Sequence, residues 1–120
     1  MSALAGRREK LAALRRRGEW PPQIPAVVLV EVLTGDHRRD FHTNHLLRLC
    51  QIRDVTEDVA REAAHLRTRT GRAASISATD AVVAAFAATQ RSPVVLTADV
   101  DDLEALVEGC DQAVLISPVE

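Results

Sequence analysis

The chain has 120 residues, 47% apolar and 27% charged, with a formal net charge of −2, which predicts one domain over 1–120 able to fold without staples. No apolar run approaches the roughly 20 residues of a membrane span, and no apolar h-region follows the basic N-terminus, so a cytoplasmic protein without membrane contact is expected. Trp20, Phe41 and Phe86 are the only aromatic residues, which argues against base stacking on aromatic platforms.

Residues 3–17 read as an amphipathic helix, with Leu4, Leu11 and Leu14 on one side and arginines on the other. Six basic side chains against Glu9 give residues 1–17 about +5 and leave about −7 for the remainder. A basic arm on an acidic body suits a polyanion or an acidic partner, and equally suits a solvated helix face. Gly18 ends this helix, and the prolines in Trp20-Pro21-Pro22-Gln23-Ile24 keep the chain extended. Pro25 suits a first helical position, so a short apolar helix over 26–33, interrupted by Glu31 and closed by Gly35, is predicted.

A helix over 38–49 and a strand over 51–55 follow. Thr56 caps a helix of about 57–70 whose Val59, Ala63, Leu66 and Thr70 keep the helical period. Ser77 caps the next helix, 78–88, with Asp80 at its third position, and Ser92-Pro93 ends it. Val94-Val95-Leu96 is a buried-type strand. A helix of 101–107 and a last strand of 113–116 complete the chain. Helices alternating with short apolar strands predict a parallel sheet covered on both faces. Cys50 and Cys110 lack metal-ligand spacing and read as thiols in a reducing compartment.

Asp80 is the one charge in an otherwise apolar helix that continues through Ala88. A carboxylate there points into the protein or into a cleft, and needs compensation from another segment. Asp99 follows the strand 94–97, at the end of a parallel sheet where functional groups collect. Glu31 stands on a second apolar helix. Acids brought together from separate segments raise one another's pKa unless a cation neutralises them, and an all-oxygen set suits Mg²⁺ or Mn²⁺. Each acid also has a plainer reading. Asp99 can be an N-cap with Asp102 at the third helical position, Asp80 a helix-dipole acid, and Glu31 the partner of an arginine.

Three blocks, Pro25-Ala26-Val27-Val28-Leu29-Val30-Glu31-Val32-Leu33-Thr34-Gly35, Ser77-Ala78-Thr79-Asp80-Ala81 and Val95-Leu96-Thr97-Ala98-Asp99-Val100-Asp101-Asp102-Leu103, occur in an order and spacing that resembles PIN-domain ribonucleases of the VapC toxin type. The resemblance covers most of residues 20–118. It implies a PIN-like three-layer α/β domain with a parallel sheet flanked by helices. It also implies a Mg²⁺- or Mn²⁺-dependent endoribonuclease that cleaves RNA, is neutralised by a cognate antitoxin and forms a homodimer. Glu31, Asp80 and Asp99 match the family's metal-binding catalytic acids. Asp102 matches an accessory metal ligand, and Thr97 a hydroxyl beside the fourth acidic position.

One departure stands out. The family opens with a buried strand ending in Asp, whereas Met1-Ser2-Ala3-Leu4-Ala5 already looks like the helix that follows it, and no acid precedes Glu9. The chain is therefore expected to be N-terminally truncated, either because the true start lies upstream or because this is a degenerate copy. In the second case a catalytically inactive remnant serving as a protein-binding module is the rival reading. An unrelated receiver-like domain is a third, but its acidic pockets usually include a lysine and Lys10 is the only one here.

Other clusters carry less. Asp36, His37, Asp40, His42 and His45 lie close in sequence and contain zinc-ligating residue types, but without cysteine or an apolar shell they read as a solvated face. Arg67, Arg69 and Arg72 suit RNA phosphates, or the dipole of the preceding helix. No glycine-rich phosphate loop or Ser-His-Asp grouping is present.

Overall fold

Two successive prolines lead into β1 (Gln23–Pro25), which pairs in parallel with β2 (Gln51–Arg53) in the register Ile24 to Ile52. The structure, a computed structural model, describes residues 21–90, 94–97, 99–108, 110 and 114–118. The predicted helix over 3–17 and the Ser92-Pro93 stop lie outside them. Contacts divide the chain into two units, one reaching Asp54 and one from Val55 to Pro118.

In the first unit Pro25 is the last residue of β1 and not the first of a helix. Proline has no N–H to give the ladder, so it is tolerated at this strand end. The next donor, Ala26 N–H, bonds the Arg53 carbonyl at 2.7 Å. Helix α1 (Val28–Val32) is accordingly shorter than the predicted 26–33, and none of its residues is buried. Val30 is 78% exposed. A pair of three-residue strands offers little sheet surface for such a helix to cover.

Helix α2 (Phe41–Leu47) begins three residues later than predicted, because side chains fold the residues before it into a turn. The Asp36 carboxylate accepts from the N–H groups of Arg38 and Arg39, at 2.9 and 3.1 Å. Gly35 takes φ +86°, a left-handed conformation that other residues adopt only under strain.

Among the described residues the hydrophobic core lies in the second unit. Helix α3 (Glu57–Arg69) is capped as expected by Thr56, whose hydroxyl accepts from Val59 N–H. Glu57 and Asp58 in its first turn and Arg67 and Arg69 in its last complement the helix dipole. Gly71, at φ +69°, ends it. Helix α4 (Ala78–Ala87) has its predicted cap, the Ser77 hydroxyl accepting from Asp80 N–H at 3.0 Å.

Strand β3 (Val94–Thr97) leads to α5 (Val100–Val107) and then to β4 (Leu115–Pro118), which lies parallel to β3 and starts two residues later than predicted. Ala63 and Leu66 of α3, Ile76, four alanines of α4, Val95, and Leu103 and Leu106 of α5 form one buried cluster. Small side chains on α4 let α3 pack close against it.

The pairing is parallel, as predicted, but the described strands pair two by two, β1 with β2 and β3 with β4. No described strand joins β1 to β3. Among the described residues no helix is long and apolar enough to cross a membrane.

Candidate metal centre

Two helix starts in the second unit carry the acids. Asp80 stands at the third position of α4, half-buried. Asp99 occupies the N-cap position of α5 and Asp102 its third position. The capping reading of Asp99 is not realised, since its side chain makes no cap hydrogen bond. Its backbone instead carries the local structure: Asp99 N–H donates to the Thr97 hydroxyl at 2.9 Å, and its carbonyl accepts from Leu103 N–H at 3.0 Å. The turn thereby holds the start of α5 without using the carboxylate.

Carboxylate oxygens of Asp80, Asp99 and Asp102 lie within 4.8 Å of one another. At such spacing like charges repel one another, with solvent screening the exposed members of the set. Part of the compensation is internal. The positive ends of α4 and α5 meet these acids, and Arg72 Nη2 bonds Asp102 Oδ1 at 2.5 Å. Among the described side chains Arg72 offsets part of the charge of the three carboxylates, and a divalent cation suits what such a set presents.

The donor set fits a hard cation. Mg²⁺ takes oxygen ligands at about 2.0–2.1 Å, so two of its ligand oxygens sit at most about 4.2 Å apart. At most one pair among three such ligands can be opposite each other and the rest lie about 2.9 Å apart, so closing this cluster onto one ion takes side-chain movement of up to about 2 Å.

The PIN domain profile matches residues 2–107 of the chain. The protein belongs to the PIN-domain family. No curated protein and no solved structure shows significant similarity to it. PIN domains are in general nucleases, commonly dependent on divalent metals, and this PIN domain carries a cluster of three acidic residues.

The remaining expected residues fall as follows. Thr97 is beside the cluster, its hydroxyl already accepting from Asp99 N–H. Glu31 belongs to the first unit, exposed on α1, and makes no ion pair among the described residues. His37, His42 and His45 are exposed, and among the described residues they join no group of three metal-ligating side chains.

Two residues of this PIN domain differ from their sequence reading. Arg72, expected to suit RNA phosphate or the dipole of the preceding helix, is the counter-ion of Asp102 across 30 residues of sequence. Only the glycine beside it, marking a turn between two helices, hints at that role. Asp40, read as part of a solvated cluster, is 5% exposed. Its carboxylate accepts from Thr34 N–H and hydroxyl, both at 2.9 Å, and from Gly35 N–H at 2.8 Å. The Thr34 backbone bond foremost holds its pKa below the usual carboxylate value, burial opposing it and the Thr34 hydroxyl and Gly35 N–H assisting. Thr34-Gly35 followed at short range by Asp40 is the local signal.

Proposed function

We propose that this PIN domain is a Mg²⁺- or Mn²⁺-dependent endoribonuclease of the VapC toxin type, acting in the cytoplasm and neutralised by a cognate antitoxin. The observation that carries the reading is the convergence of Asp80, Asp99 and Asp102 from two helix starts. Asp80 and Asp99 would hold the ion through anionic oxygens, and Asp102 would serve as the accessory ligand. When bound, the ion supplies Lewis-acid stabilisation of charge on the phosphate and activates water for attack. The Thr97 hydroxyl accepts from Asp99 N–H and retains its own proton, which it can donate to a water or to a ligand carboxylate. A homodimer is part of the same reading.

The test couples binding to cleavage. Saturating Mn²⁺ at 100 times its dissociation constant should stabilise the protein by about 2.7 kcal/mol, with RNA cleaved internally in the same buffer. Asp99→Ala should remove both effects. A folded protein whose melting curve ignores millimolar Mn²⁺ overturns the reading.

The rival, a non-catalytic protein-binding module, is favoured by one observation. Val30, Val32, Phe41, Leu49 and Ile52 of the first unit are all exposed large apolar side chains, the residue type that a protein partner covers. Binding of a protein partner together with an absence of both Mn²⁺ binding and RNA cleavage would select it.

A further inference from the structure

The geometry points to Arg72 as a built-in electrostatic competitor for the metal: its guanidinium, paired with Asp102, opposes the charge of a divalent cation and so lowers the affinity of the centre. This inference rests on the metal reading of the acid cluster.

The ion pair has features that a purely structural bond lacks. Both side chains remain partly exposed, and pairs of that kind contribute little to stability. The loop that carries Arg72 is held by other bonds. Arg72 N–H donates to the Thr70 hydroxyl at 3.0 Å, and its carbonyl accepts from the N–H groups of Ser75 and Ile76, each at 2.9 Å. Arg67 Nε bonds the Ile76 carbonyl at 2.7 Å. Removing the guanidinium leaves every one of these contacts in place. Its effect falls on the acids.

Two consequences act in the same direction. Asp102 Oδ1 already accepts from Nη2, so one of its lone pairs is engaged and its negative charge is partly offset before a cation arrives. A fixed positive charge at the rim also repels any second cation approaching the cluster. Neutralising Arg72 therefore tightens metal binding, the opposite of what damage to a structural residue would do.

The experiment is calorimetric titration of the full chain with Mn²⁺ alone, on wild type, Arg72→Gln, Arg72→Lys and Asp102→Asn. Arg72→Gln should bind Mn²⁺ about tenfold more tightly, the fold-change that about 1.4 kcal/mol of relieved repulsion gives. Arg72→Lys keeps the charge and should stay within about twofold of wild type on the same electrostatic argument. Adding Arg72→Gln to Asp102→Asn should tighten binding less than it does in wild type, because one route of competition is already gone. If Arg72→Gln does not fold, Arg72→Met, which keeps the apolar stem, takes its place. Unchanged or weaker Mn²⁺ binding in a folded neutral variant overturns the inference and leaves the metal centre standing. Absence of Mn²⁺ binding in wild type and all variants overturns both.

Discussion

The Thr97 hydroxyl accepts a hydrogen bond from the backbone N–H of Asp99 at 2.9 Å, tying the last residue of β3 to the first cap position of α5. The bond satisfies an amide at the head of the helix that the Asp99 side chain would otherwise leave to solvent. It keeps one acid in place while leaving its oxygens for other work.

Thr97→Val removes the acceptor and keeps the shape. It should cost about 1 kcal/mol in chemical denaturation and weaken Mn²⁺ binding, whereas Thr97→Ser should restore both. Equal Mn²⁺ affinity in the Val and Ser variants would show that the hydroxyl has no part in holding the centre.

Asp80→Asn separates a capping acid from a member of a crowded set. Measured in EDTA, the variant is more stable than wild type if repulsion from Asp99 and Asp102 outweighs the other contacts of the Asp80 carboxylate. An acid that served only the dipole of α4 would instead lose a few tenths to about 1 kcal/mol.

Asp40 should make the first unit acid-sensitive. Its pKa is depressed in the folded chain, chiefly by the Thr34 backbone bond, so the unfolded chain binds its proton more readily. The stabilisation is therefore fully present above the unfolded value near 3.9 and fades as pH falls through the lower folded value. Wild type should exceed Asp40→Asn in stability at neutral pH, and acid titration should shrink that gap below about pH 4. A gap independent of pH would mean that the charge itself contributes nothing.

Packing gives a prediction free of any metal. Ala84 is 0% exposed in the core, and Ala84→Leu should cost about 1–3 kcal/mol by overpacking. Ala60→Leu, on the exposed side of α3, should change stability by less than about 0.5 kcal/mol.

Local chemistry was readable from the sequence, and distant pairing was not. Thr56 and Ser77 cap their helices as their spacing implied, because a hydroxyl and an amide three residues away need no other part of the chain. Asp80 and the Asp99–Asp102 block could be singled out, since an acid is conspicuous in an apolar run. Arg72 could not be assigned to Asp102, because 30 residues separate them and an arginine before a helix has several ordinary uses. Pro25 was misplaced through a rule about helix starts, where the parallel ladder with Arg53 decided its conformation. Asp40 was missed because a composition-level view of its neighbours as solvated hid the backbone donors at Thr34 and Gly35.

Among the described residues α5 is the one element between the parallel strands β3 and β4, and Asp80, Asp99 and Asp102 lie on or between consecutive elements of the second unit. Closing short loops costs little chain entropy, and folds built on near-neighbour contacts form fast. The segments that carry the acids can therefore meet early on the folding pathway, and the amides of α4 and α5, beside the best-buried side chains, should be among the last to exchange with solvent deuterium.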